Sequence, residues 1–334
     1  MVECIFTLDY EIYGNGSGSL KDLVYEPGER LREIFRKWNA PFVNFVEVAE
    51  LEQIEAHAAD PAIDLVKAQI KVLSEEGHET ALHLHPQWSN ARYDNGRWIL
   101  DYSEYNLCKL APPRISQIVS RSLAYLRRIL DRPDFTPVSF RAGNWLFQPT
   151  RDAARVLSAT GIKVDSSAFK GGMQRNHGLD YRRAKRNGYY WPFSRDVNEP
   201  DPEGAWIEVP IYTDMVPLWK IATAKRVSLG NSFSGGEKSI RRWLHRVSDF
   251  ARFRYPRKFD FCRMTLSELT SVVSTILRND RKEPTVFRPI VAIGHTKDLS
   301  DPRTVDDFLA FLHDKSVPVS TFERSYTKLL FKGR

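Results

Sequence analysis

What most constrains this chain is where its chemically capable residues fall. Asp9, Glu11, His83, His85, Arg141, Asp165 and His295 each lie at or just past the C-terminal end of a short apolar run. Those runs, at 3–8, 79–84, 137–140, 162–164 and 290–293, read as strands. Titratable groups gathered at strand exits, on segments far apart in sequence, are the pattern of an α/β barrel active site. Charge without a function would scatter over helix faces.

The stretches between these strands carry helical periodicity. Leu31, Ile34, Phe35 and Trp38 recur at helix spacing within 30–38, and Ile63, Val66, Ile70 and Leu73 share a face of 61–76, which Gly77 ends. Helices are also expected over 115–130, 150–160, 265–277 and 306–313, and further strands over 41–46, 206–212 and 317–322. Strand and helix alternate from end to end, which implies βα units and a mostly parallel sheet of seven or eight strands. No repeat or low-complexity linker divides the 334 residues, so a single domain over 1–334 is expected.

The charge is uneven. Residues 175–258 hold 17 Lys and Arg against nine Asp and Glu, and the chain as a whole carries +7, so the rest is near neutral. The same stretch is rich in Tyr, Trp and Phe. It reads as a basic, aromatic insertion over 171–262, an elaborated crossover between the fifth and seventh strands. It could steer an acidic substrate or lie on an anionic membrane face. No helix-turn-helix, zinc-finger or RNA-binding signature accompanies it, so nucleic acid is not an expected partner. No apolar stretch approaches the roughly 20 residues that span a bilayer. A first strand starting at Val2 leaves no room for a cleavable leader, and Cys4, Cys108 and Cys262 form no pairing pattern. The expected location is the cytoplasm.

His83 and His85 sit two apart on a strand, so both imidazoles face one side, as Asp9 and Glu11 do. Two imidazoles and a carboxylate at strand exits supply three ligands for a divalent transition metal, zinc first, and leave room for water. Water bound there, with its pKa lowered toward ~7, is a nucleophile at neutral pH, and a carboxylate off the metal can take its proton. A pair of hydrogen-bonded core histidines is the alternative for His83 and His85.

With these residues the chain resembles the polysaccharide deacetylases of the NodB-homology type, carbohydrate esterase family 4. All five family motifs can be placed in order. Phe6-Thr7-Leu8-Asp9-Tyr10-Glu11 matches the first, with Asp9 as the base. Tyr10 stands where the ligand Asp would be and Glu11 takes that role, the two carboxylates being exchangeable. Gly77-His78-Glu79 leads to His83. The second family His would fall at Gln87, so His85 provides it. Arg141-Ala142-Gly143-Asn144-Trp145 matches the motif whose Arg tethers the base. Asp165-Ser166-Ser167 matches the fourth, and Gly294-His295-Thr296 the last, whose His protonates the leaving group.

The resemblance implies a distorted (β/α) barrel and a metal-dependent removal of acetyl groups from N-acetylated sugars. By the same resemblance Asp165 holds His295 in its protonated form, and Trp88, Gly143, Asn144 and Trp145 meet the sugar. The divergent motifs point to the subset associated with lipopolysaccharide and surface-polysaccharide biosynthesis, acting on a carrier-linked or precursor glycan, with the inner membrane face as a possible contact. Two other readings stay open. One is a metal-free glycoside hydrolase using Asp9, Glu11 and Glu208. The other is a catalytically inactive relative that binds a glycan or a membrane.

Overall fold

The computed structural model describes residues 1–185, 188–217 and 255–332. Nine strands form its main sheet: β1 (Val2–Tyr10), β2 (Val43–Glu47), β3 (Glu79–Leu84), β4 (Ser139–Ala142), β5 (Val164–Asp165), β6 (Trp191–Phe193), β7 (Trp206–Glu208), β8 (Arg288–His295) and β9 (Val319–Ser320). The order is β6-β7-β5-β4-β3-β2-β1-β8, and β9 also pairs with β1. All pairings are parallel except β6 with β7. Single-residue bridges carry the curl further. Ile211 bridges both Phe169 and Val291, and Asp260 bridges Ile293. The β7 side thus reaches β8, and the sheet curls into a distorted barrel.

Helices α1 (Glu26–Lys37), α2 (Val48–Ala56), α3 (Ile63–Glu75), α4 (Pro112–Leu130), α5 (Thr150–Ala159), α6 (Leu266–Asp280), α7 (Pro302–Asp314) and α8 (Phe322–Lys332) flank the sheet. The expected periodicities account for most of them. In α3 the buried face is Ile63, Val66, Gln69, Ile70 and Leu73. The start of α6 is fixed by a capping box, in which Thr265 accepts from the Glu268 N–H and Glu268 accepts from that of Thr265.

Three elements differ from the sequence expectation. Helix α2 follows β2 without a break, because 45–51 contains no Gly, Pro, Asn, Asp or Ser to mark the change. The strand expected over 206–212 ends at Glu208, two residues before Pro210, which has no N–H to donate. Strand β6 pairs antiparallel beside it and was not anticipated. Within the expected insertion at 171–262, residues 218–254 lie outside the described residues, including Trp219, Trp243, Phe250 and Phe253. Tyr181, Trp191, Phe193 and Trp206 are buried in the core, so these aromatics are packing and do not form a surface for a substrate or a membrane.

The core lies between the sheet and its helices. Phe6 on β1 meets Phe35 of α1 at 5.0 Å and Phe308 of α7 at 5.8 Å. Alternation then turns Thr7 and Asp9 to the opposite face, the barrel interior. Parallel pairing brings the C-terminal ends of β1, β2, β3, β4 and β8 together there.

Candidate active site

Tyr10 takes no part in the site. Its hydroxyl points the other way and donates to Gln69 of α3. Strand parity leaves Glu11 as the neighbour of the histidines. Glu11 Oε2 lies 3.4 Å from His83 Nε2 and 3.0 Å from His85 Nε2, and all three residues are buried. His83 Nδ1 is 2.9 Å from the Arg141 carbonyl, so this nitrogen donates to it, and Nε2, which faces Glu11, offers a lone pair once an ion displaces its proton. That Nε2 is buried and has no hydrogen-bond partner among the described residues.

His85 Nδ1 faces the side-chain amides of Gln87 at 3.1 Å and Asn144 at 3.3 Å. Gln87 Oε1 is buried without a partner among the described residues. Turning that amide over lets Oε1 accept from Nδ1–H and frees His85 Nε2 as a ligand. With the amide so turned, Gln87 supports His85 from behind. Glu47, at the end of β2, joins the group: ligand atoms of Glu11, Glu47, His83 and His85 all lie within 4.8 Å of one another. Two imidazoles with carboxylates suit zinc or a similar ion. An orphaned Nε2 among them is the gap that such an ion fills, so these residues fit a divalent metal.

Beside this group, Arg141 Nη1 donates to Asp9 Oδ1 at 2.5 Å. The guanidinium is fully buried and also donates to Thr7 Oγ1 and the Ser166 carbonyl, both at 2.9 Å. Asp9 Oδ2 is 3.4 Å from His295 Nε2. Lys297 Nζ bonds Glu11 Oε1 at 2.8 Å and the Ile12 carbonyl at 2.7 Å.

Burial opposes ionisation of Asp9, but Arg141, His295 and His83 outweigh it and hold the carboxyl below its usual range. Burial also opposes the charged form of Glu11, and Lys297 with the two histidines pulls it well below. Burial pushes Glu47 up to about 7, because His85 and His83 offset it only in part and Glu11 adds to it. Burial works against a charged His83, yet Glu11, Asp9 and Glu47 lift it to about 9.

Two expectations need correction. Asp165 does not hold His295: its carboxyl accepts from Ser167 N–H and Oγ (3.1 and 2.7 Å), on the side of the buried Glu208. The carboxylate facing His295 Nδ1 is Asp298, 3.3 Å away and itself held by Arg263 at 2.7 Å. Nor is His295 favoured in its protonated form, since burial outweighs Asp9 and Asp298 and lowers its pKa. The second correction is Trp88, which is 1% exposed and packs on Trp98 at 4.9 Å, out of reach of a sugar.

Gly143, Asn144 and Trp145 do line the site. A Cβ on Gly143 would sit 2.5 Å from the Leu84 carbonyl, so only glycine lets the backbone pass His85. Asn144 and Trp145 follow with φ of 54° and 60°, which bulky residues rarely adopt, and Trp145 meets His295 edge-on at 6.3 Å.

Glu47, Lys297, Asp298 and Lys258 are the residues that sequence reasoning missed. Glu47 was one residue beyond the expected end of β2. Lys297 and Asp298 follow His295 in a loop, where no periodicity marks a direction.

No protein-family model and no curated protein matches the sequence. Solved structures do match. A putative polysaccharide deacetylase from Mycobacterium smegmatis superposes with a TM-score of 0.55 at 14% identity, over 98% of this chain and 90% of that one. The chain has the polysaccharide deacetylase fold. A probable polysaccharide deacetylase from Pseudomonas aeruginosa PAO1 is more distant, with a TM-score of 0.46 at 12% identity over 98% and 89% of the two chains. A family 4 carbohydrate esterase from Streptomyces lividans, in complex with acetate, has a TM-score of 0.43 at 9% identity over 96% and 92%.

Proposed function

We propose that this chain is a metal-dependent hydrolase that removes an acetyl group from an N-acetylated sugar. One observation carries the reading: Glu11, His83 and His85 converge around an unpartnered His83 Nε2, beside the Asp9–Arg141 pair and His295. Glu11, His83 and His85 would hold the divalent ion, zinc first, with Glu47 in reach. When bound, such an ion polarises the acetyl carbonyl and acidifies water.

The chain's own residues supply the proton path. Asp9, held ionised by Arg141, accepts a proton from the attacking water. His295 Nε2, beside Asp9 Oδ2, passes that proton to the departing amine as the C–N bond breaks, and acetate is the second product. The lowered pKa of His295 suits a group that must give its proton away. Asp298, with Arg263 behind it, is a positioning residue for that imidazole. Trp145 faces the sugar.

The substrate would be a carrier-linked or precursor glycan of surface-polysaccharide biosynthesis, including lipopolysaccharide. It would be met in the cytoplasm or at the inner membrane face by a single domain, 1–334, with 171–262 as its insertion. The three free, buried cysteines suit a reducing compartment. No helix among the described residues is long and apolar enough to cross a membrane.

The test is metal content by elemental analysis on protein purified without chelator, followed by acetate release from a panel of N-acetylated sugars. About one ion per chain is expected, lost in His83→Ala, with acetate release abolished by a chelator. Protein that takes up no ion even on reconstitution would refute the reading. A second reading, a glycan-binding relative without turnover, draws on the Lys297 ammonium, which competes with an ion for Glu11. Metal uptake with no acetate from any sugar would favour it.

A further inference from the structure

One ammonium near the site has no role in the steps above. Lys258 ends the short strand Tyr255–Lys258, which pairs antiparallel with Thr213–Val216. The backbone then runs along β8, where the Ile293 N–H donates to the Phe259 carbonyl and the Phe261 N–H to the Ile293 carbonyl, both at 2.9 Å. Phe259 and Phe261 face outward, onto Phe308 at 5.8 Å and Phe6 at 5.2 Å. Alternation therefore turns Lys258 and Asp260 inward, to the face that carries His295. Lys258 Nζ lies over the Trp145 ring and 4.4 Å from the centre of the Phe169 ring.

Among the described residues, no carboxylate, carbonyl or hydroxyl accepts from this ammonium. The carboxylates that act on it are engaged elsewhere: Asp9 by Arg141, and Asp260 by the N–H groups of Cys262 and Arg263 at 3.1 and 3.0 Å. Two aromatic faces hold the cation and offset part of its lost hydration. A partly buried ammonium with no anion is otherwise a cost to the fold. Burial accordingly draws Lys258 well below the ordinary lysine value, and Asp260 and Asp9 only partly restore it.

Going round the barrel, Glu11, His83 and His85 lie on one side of the His295 strand and the segment that carries Lys258 and Asp260 on the other. An acetyl group held at the first three would put the departing amine at His295 and the sugar beyond it, against Trp145 and Lys258. We infer that Lys258 is an oxyanion subsite on the leaving-group side, and that the sugar losing its acetyl group carries a phosphate or a carboxylate. The geometry of this inference rests on the deacetylase reading, while the subsite itself can be tested without turnover.

The probes are glucose 1-phosphate, glucuronic acid and glucose, none of which has an acetyl group to lose. Calorimetric titration of the metal-loaded protein should show at least one anion binding about tenfold or more tightly than glucose, the scale of a charge-assisted hydrogen bond. Lys258→Met should erase that preference and Lys258→Arg should keep it. Preference for the phosphate alone assigns a phosphorylated or carrier-linked sugar, and preference for the carboxylate alone a uronic acid. Equal binding of all three, no binding of either anion, or a preference that survives in Lys258→Met overturns the subsite. Urea unfolding serves as the folding control. The Lys258→Met midpoint should be no lower than wild type, because Met fills the same space without the charge. A clear fall would mark Lys258 as a structural ammonium and also overturn the proposal. Acetate release, measured separately, reports on the deacetylase reading alone.

Discussion

Replacing Arg141 by Met removes the cation that holds Asp9 inside the barrel. Arg141 is fully buried and Asp9 is 2% exposed, so water cannot take over the freed carboxylate. Stranding one partner of such a pair costs about 3–5 kcal/mol. Asp9→Asn strands the guanidinium instead, at a similar cost, although Thr7 and Ser166 still accept from it. The double variant, Arg141→Met with Asp9→Asn, buries no unpaired charge. Its cost should be about 2–3 kcal/mol, for the lost hydrogen bonds and for the contact of the guanidinium with the Phe45 ring at 4.2 Å. The cycle should therefore show a coupling of at least ~3 kcal/mol. Urea unfolding of EDTA-treated protein, followed by tryptophan fluorescence at pH 7, reads each corner from its midpoint at a common slope. Single-variant costs that add to within ~0.5 kcal/mol of the double would refute the argument that burial makes this pair strong.

Other perturbations test the neighbouring features. His78 accepts from the Phe42 N–H at 3.1 Å and lies on the Phe42 ring at 4.0 Å, and burial lowers its pKa from 6.5 to about 4. A lowered histidine contributes stability above its unfolded pKa and loses it as pH falls through the folded one. Between pH 6.5 and 4 the protein should lose about 3 kcal/mol that His78→Asn does not; equal acid sensitivity of the two in urea titrations would contradict this. Gly143→Ala puts a methyl against the Leu84 carbonyl and His85. It should weaken metal affinity about tenfold or more in chelator competition, and unchanged affinity would show that the backbone yields. Asp298→Asn should lower acetate release at least about tenfold and alter its pH profile. Asp165→Asn should do less, and the reverse order would restore Asp165 to His295.

The position of the site was legible because strand chemistry is periodic. Asp9 with Glu11, and His83 with His85, share a face by their spacing alone, and parallel βα units must bring strand ends together. Tyr10 could be set aside by the same parity, and Gly77 and Thr265 marked helix ends by local rules. Partner choice was not legible. Asp165 and Asp298 both lie near a strand exit, and which of them meets His295 depends on a loop trajectory that no local pattern records. Trp88 and Trp145 look alike as aromatics after a strand, yet one is core and the other lines the cleft.

Sequence by itself therefore determined the fold class, the face and the chemical types of the site, since side-chain direction along a strand follows from covalent geometry. Tertiary structure alone decided that Glu47 joins the histidines, that Lys297 claims an oxygen of Glu11, and that Lys258 stands beside Trp145 without an anion among the described residues. Those outcomes depend on which strands become neighbours and on how much water remains between them. Burial sets the strength of every charge in the barrel, and burial is a property of the assembled fold.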